Sequence, residues 1–414
     1  SNGLTKLPVN CIVYQNGSED VLYAGTDDGA YYWDKTLFCW IKMNGSIIKG
    51  KTIPNTTVTK LTINYCTRTL IAATHGRGIW ESELYYPNHF PAPTEIIETD
   101  TDWGSLTQSV VTNKLIEGSI FITNGATLTI QGVPNIMTGN TATSSNTTIY
   151  MPKWGRIDID KGSKLIVNGA HITNGCNTNW MGIFAWGHGA VAQTQNPNTS
   201  LDPNHGWVAL NKAIIEHAEE ALNNSGGDNS PWTNTGGIIQ SWSSHFINNR
   251  RSAAFMQYSN LSGVVLNPDM SLFRDNHFDY NGSARIGLYA HISMWGIWGI
   301  KIADNVFDNT RVIDVNNPTH KTAVLSIDAG YGFTNNFVNN MYKGLEGDLF
   351  SYGSVNKSLS ILGNTFDANE IGIHLQNITY PIITDNTINI GHRQTFGSGG
   401  GFLDRFKNGE CEYF

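Results

Sequence analysis

The sequence predicts an all-β chain: a solenoid of stacked β coils behind a smaller module built on a blade-like repeat. Three observations carry this expectation. First, residues 118–132 (GSIFITNGATLTIQG) lay over residues 155–169 (GRIDIDKGSKLIVNG), a spacing of 37, with Ile120/Ile157, Ile122/Ile159 and Leu128/Leu165 matched between glycines. A self-match at fixed spacing marks units too small to bury their own apolar face, so they must stack. Second, an Asn-x-Phe cue recurs as Asn276-His-Phe278, Asn305-Val-Phe307, Asn335-Asn-Phe337 and Asn364-Thr-Phe366, with Asn386-Thr-Ile388 a weaker copy. Third, charged residues are only 14% of the chain, against roughly 25% in an average soluble protein. In their place stand 45 Asn and 43 Gly, which suit tight left-handed corners and side-chain ladders.

The first 86 residues form a separate module. Apolar–polar alternation predicts strands at Val9–Tyr14, Val21–Thr26, Ala30–Trp33 and Trp40–Met43. A second set follows at Val58–Tyr65, Leu70–Thr74 and Gly78–Ser82. LYAGTDDGAY (22–31) echoes LIAATHGRGI (70–79) at an offset of 48. About four strands per period of that length is a propeller-blade pattern, here enough for about two blades. Residues 87–104 are expected to be a Pro-rich linker, because Pro87, Pro91 and Pro93 remove ladder donors. The solenoid is expected over 105–414. The Asn-x-Phe steps of 29, 30, 29 and 22 residues fit a three-sheet parallel β-helix, the shortest being a minimal turn and the others carrying loops. Phe is expected to fill the lumen while the preceding Asn takes the corner.

Two resemblances sharpen these expectations. AGTDDGAYYW (24–33) followed by LIAATHGRGIWES (70–82) resembles the final blades of sialidase-like, BNR-type propellers of large secreted Bacteroidetes proteins. The Asp-box of that family is absent, and no sialidase residue carries over. GSIFITNGATLTIQG, WMGIFAWG (180–187) and NTFDANEIGIHLQN (364–377) resemble right-handed parallel β-helix surface proteins of the Bacteroidetes type. That likeness implies export, by type IX secretion, to the cell surface or medium. It also implies that this chain is a piece of a longer polypeptide, with more blades upstream and further domains past a truncated C-terminal end.

Bulk charge narrows the function. A net charge of −8 and a pI near 5.8 argue against a general nucleic-acid binder. No run of about 18 apolar residues could span a membrane. The five cysteines (Cys11, Cys39, Cys66, Cys176, Cys411) include no CxxC pair, which argues against a zinc or redox site. A disulfide among the first three and buried free thiols both stay open.

Catalytic candidates are His188, His245, Arg250 and Asp275. Gly187-His188-Gly189 resembles a motif of polygalacturonase-like β-helix hydrolases, but the paired aspartates such enzymes need are missing. A glycine-lined corner is the competing reading. Pectate-lyase-like chemistry would need clustered carboxylates for calcium and an Arg or Lys base. Asp269, Asp275 and Asp279 lie within one coil and are the candidates for such an ion, with turn residues the simpler account. No other cofactor is implied. Asp158 and Asp160 share a strand face, expected to be solvated.

Binding candidates follow from aromatic and basic residues. Seven of the twelve Trp fall between 180 and 298, and most should be structural. Trp232, in a loop-like stretch, is the best prospect for exposure, then Trp207 and Trp242. Arg250, Arg251, Tyr258, Arg285 and Tyr289 lie one long coil apart, a spacing that stacking would convert into a stripe. The expectation is a secreted or cell-surface protein that presents this stripe to polysaccharide or matrix without chemistry of its own. The alternatives are a lyase or hydrolase for an acidic polysaccharide, and a plain spacer.

Overall fold

The structure, a computed structural model, describes residues 3–4, 6, 8–18, 20–43, 53–85, 90–136, 142–194, 202–226, 234–310, 322–348, 359–378, 381–389 and 410–413. Among them every regular element is a strand. Three long sheets of ten, eleven and ten strands run side by side. The chain visits them in strict rotation, so each circuit adds one rung to every sheet. The first circuit is Pro93–Ile97, Thr101–Gly104 and Thr112–Leu115, and the last is Ile371–Gln376, Ile382–Thr384 and Thr387–Asn389. Below, the first, second and third sheets are those that begin with these three opening strands. Pairing between circuits is parallel; only Glu410–Tyr413 adds antiparallel, against Ile371–Gln376. This is a parallel β-helix solenoid. The 37-residue self-match becomes direct register: Ile120 opposes Ile157, and Leu128 opposes Leu165.

The stack starts earlier than the sequence suggests. Residues 87–104 are expected to be a linker, yet Pro93–Ile97 pairs with Ser119–Ile122, and Thr101–Gly104 pairs with Thr127–Gln131. Pro93 is tolerated because it opens an edge strand, where no donor is required.

The lumen changes character along the axis. In the early circuits it is aliphatic: Ile120, Ile122, Leu128, Ile130, Ile157, Ile159, Leu165 and Val167 are fully buried. Later it is aromatic. Phe246, Phe278 and Phe307 stack with centroids 4.8 and 4.6 Å apart and planes within 8°. Beside them runs an asparagine ladder. The Nδ2 of Asn276 donates to Asn305 Oδ1, Asn305 to Asn336, Asn336 to Asn364 and Asn364 to Asn386, at 2.9–3.0 Å. Each Nδ2 also reaches a carbonyl one circuit back, as Asn305 does at Phe273 O (3.1 Å). Buried amides satisfied in this way carry no desolvation penalty.

One copy of the cue is out of step. Asn335-Asn-Phe337 is expected to repeat Asn-x-Phe, but Asn336 is the ladder residue and Val338 faces the lumen, opposite Phe307 and Phe366. Phe337 is turned out and is 38% exposed. Asn335 occupies the left-handed corner, φ 53°, equivalent to Asp275 and Asp304 at φ 61° and 60°.

The first module is two antiparallel sheets, Val9–Tyr14 through Cys39–Lys42 and Val58–Asn64 through Gly78–Glu83, around one small core with Tyr23, Val58 and Leu70. It is joined to the solenoid covalently. Neither a pairing within the first 66 residues nor free thiols accounts for all the cysteines: Cys66 is bonded to Cys176, across 110 residues. Cys11 and Cys39 are free thiols. Around the bridge, Cys66 O accepts from Lys153 N (3.1 Å) and from the side chains of Asn174 and Thr178 (both 3.3 Å).

Candidate functional site

The four catalytic candidates stand in four places. His188 is exposed in the insertion after Trp180–Ala185. Its neighbour Gly187 passes so close to the next insertion that a Cβ would lie 2.3 Å from Thr235 O. Gly187 therefore serves backbone packing. His245 is buried on the third sheet, its ring 4.9 Å from that of His277 on the next rung. Asp275 is an exposed corner residue at positive φ. Arg250 lies at the start of a first-sheet rung.

The three calcium candidates also separate. Asp279 projects from the third sheet, opposite Asp308. Asp269 is buried in a polar hub that ties three insertions together. There Gln193 Nε2 donates to Asp269 Oδ2 and to Gly236 O, both 3.0 Å. Tyr258 donates to Val191 O at 2.7 Å, and Asn260 Nδ2 to Pro268 O at 2.9 Å. Burial pushes the Asp269 carboxyl up to about 6. Tyr258, a binding candidate by sequence, is thus 3% exposed and structural.

Other binding candidates are sorted by the same geometry. Arg285 does not join the arginine pair; its Nη1 donates back to Asn174 O (2.9 Å) and Thr178 O (2.6 Å), bracing the loop beside the disulfide. Trp207 is 4% exposed, with Lys164 Nζ 3.2 Å above its ring. Desolvation there brings the Lys164 amine down to about 8. Trp242 is half-buried on the outer face of the second sheet, in one row with Asn168, Asn211 and Arg274. Trp232 lies outside the described residues.

Arg250, Arg251 and Tyr289 do converge, on the outer face of the first sheet. The guanidinium carbons lie 5.6 and 4.3 Å from the Tyr289 ring centroid, and Tyr289 N donates to Arg250 O at 2.8 Å. Two residues that sequence reasoning passed over complete the cluster, Glu219 and Glu220. Their strand, Ala218–Asn223, carries a register shift against its neighbour. Ala218, Ala221 and Leu222 all face the core, which leaves both glutamates outside. The broken alternation of Ala-Glu-Glu-Ala-Leu was the available signal. Glu220 Oε1 pairs with Arg251 Nη1 at 2.7 Å, and its other oxygen accepts from Asn223 at 2.6 Å. Glu219 keeps a raised carboxyl pKa: burial raises it most, Arg250 lowers it and Glu220 raises it again.

No family model matches the chain, and no curated protein matches it. Two solved chains do. One is described as "Crystal structure of PfbA, a surface adhesin of Streptococcus pneumoniae", at 10% identity and a TM-score of 0.26, covering 72% of this chain and 75% of that one. A likeness at that level carries no functional argument.

Proposed function

We propose that the chain is a secreted or cell-surface β-helix protein that binds polysaccharide on the outer faces of its solenoid. The observation that carries this reading is the convergence of Arg250, Arg251 and Tyr289 on one face, with Trp242 in an Asn-Arg row on the next sheet. Flat rings flanked by planar donors match a sugar, whose apolar face stacks and whose hydroxyls take hydrogen bonds. The wide scatter of His188, His245, Arg250 and Asp275 favours binding over turnover. The Cys66–Cys176 bond supports export, since such bonds persist in oxidising compartments. Leu22–Thr26 and Thr69–Thr74 are both second strands of consecutive antiparallel meanders, which supports reading the first module as propeller blades.

A glycan array probed with the intact chain tests the proposal. We expect binding that falls about tenfold or more in Tyr289→Ala or Trp242→Ala, the loss of one aromatic platform. An array on which neither neutral nor acidic glycans bind would remove it.

A further inference from the structure

Parallel stacking brings three residues from successive rungs into one row. Glu220 aligns with Arg251, and Arg251 with Ala290. One position earlier the row is therefore Glu219, Arg250, Tyr289. Arg156, Arg251 and Arg274 each hold a carboxylate within 3.1 Å. Among the described residues Arg250 forms no ion pair; it lies half-buried beside the Tyr289 ring. Its two acidic neighbours are handicapped as partners. Glu220 is committed to Arg251 and Asn223.

Resting on the glycan-binding reading above, we propose that Glu219–Arg250–Tyr289 is an anion-binding subsite, where Arg250 takes a carboxylate or sulfate of a glycan and Glu219 competes for it. A guanidinium beside an aromatic face, not locked in a close ion pair among the described residues, is a two-pronged donor for such an oxyanion. Tyr289 supplies the surface against which the sugar ring packs. Glu219 makes the subsite responsive to protons. When ionised it attracts Arg250 and repels an incoming anion; when protonated it does neither. Its raised pKa, caused first by burial, moves that change above the ordinary carboxylate value. The charged groups facing it are Arg250 and Glu220, with Arg251 held on Glu220. On the neighbouring strand Trp180 and Gly182 pair with Ala218 and Glu220, which places Met181 beside Glu219. Binding should therefore tighten as pH falls.

The test uses the intact chain and three probes: a galacturonate hexamer, its methyl ester, and a sulfated neutral hexasaccharide. The acid is expected to bind about tenfold or more tightly than the ester, and that preference should collapse in Arg250→Ala and persist in part in Arg250→Lys. Preference for acid over sulfated probe, or the reverse, identifies the oxyanion. As pH is lowered from neutral toward the ordinary carboxylate range, wild-type affinity for the acid should rise, and Glu219→Gln should hold the high value throughout. An Arg250→Ala protein that keeps the acid-to-ester ratio overturns the subsite, as does a Glu219→Gln protein with an unchanged pH profile. Equal binding of acid and ester, lost together in Tyr289→Ala, overturns the subsite but leaves glycan binding standing. Failure to bind any glycan removes both.

Discussion

The third circuit of the solenoid and the last four solve one backbone problem with different chemistry. From the third circuit onward the chain turns between the second and third sheets through a residue of positive φ, followed by one that points inward. Early, Gly169 takes the turn at φ 72°, where a Cβ would fall 2.2 Å from Gly132 O, and small Ala170 follows. Later, Asp304 and Asp385 take it, both at φ 60°, and a ladder asparagine follows each. The change is gradual. Ala213 N donates to Ser244 Oγ at 3.1 Å, and Ser244 N donates to Asn276 Oδ1 at 3.0 Å, so serine is the step between alanine and asparagine. The corner at Gly169 relies on the steric freedom of glycine, whereas Lys212 takes the next one at φ 51°. In the ladder half Gly363 still takes one corner, at φ 64°, while Asp304, Asn335 and Asp385 take theirs with a bonded ladder amide next in the chain.

The aromatic lumen should give the largest contrast. Phe307 packs face to face on Phe278 at 4.6 Å and against Phe333 at 5.8 Å. Phe307→Ala is expected to cost about 4 kcal/mol in urea unfolding, and Ile157→Ala in the aliphatic half about 3 kcal/mol. The sharper readout is coupling. The pair Phe278→Ala and Phe307→Ala should depart from additivity by about 1 kcal/mol, since the two rings interact directly. Strict additivity would mean that the rings fill space independently, as the aliphatic residues do.

The ladder comes next. Asn305→Ala strands the Oδ1 of Asn336 less than it strands the amides and carbonyls that Asn305 serves: Asn276 N and Nδ2, and Phe273 O. A cost of about 3 kcal/mol is expected, since buried groups left unpaired lose about 1–3 kcal/mol each. Ala170→Ser, in the half without a ladder, should stay within about 1 kcal/mol.

Proton linkage also separates the halves. The early lumen residues named above are aliphatic, whereas His291 is fully buried, its ring 5.8 Å from Phe278 and 6.0 Å from Phe307. Burial brings its pKa down to about 3. Folding therefore requires the neutral ring, and the unfolded chain takes up the proton first. Stability is held above the unfolded value near 6.5 and is lost as pH falls from there toward 3. Going from about pH 7 to about pH 5, this ring's share should cost about 2 kcal/mol, and His291→Phe should remove that share while His205 and His277, also lowered by burial, keep theirs. Asp269 acts in the opposite sense, because the stability carried by its protonated form is lost as pH rises toward about 6.

Much of the fold was legible because period-2 alternation and repeat spacing report directly on which residues face the lumen. Ile120 over Ile157 and Phe278 over Phe307 follow from spacing alone. The disulfide was not legible, since Cys66 and Cys176 meet only after the first module docks on the stack. The site was legible in part. Arg250, Arg251 and Tyr289 were within reach because stacking turns one period into adjacency. Glu219 and Glu220 were not, because a bulge inverts the facing that alternation predicts. Tyr258 and Arg285 were misplaced because insertions pack by their own hydrogen bonds, outside the coil period.

The same point can be put to the smallest test in the stack. Asn335-Asn-Phe337 offers two registers that differ by one residue, and a one-residue slip exchanges the two faces of a strand. The left-handed corner must be taken by Asn335, because Asn336 has both ladder neighbours in reach, donating to Asn364 and accepting from Asn305 at 3.0 Å. Val338 is then the lumen residue and Phe337 the outward one. Phe337→Thr should change stability by less than about 0.5 kcal/mol, as exposed positions do, and Val338→Ala by about 2 kcal/mol. The reverse order, a costly Phe337→Thr with a tolerated Val338→Ala, would place this rung in the register that the sequence pattern suggests. It would also break the ladder between Asn305 and Asn364.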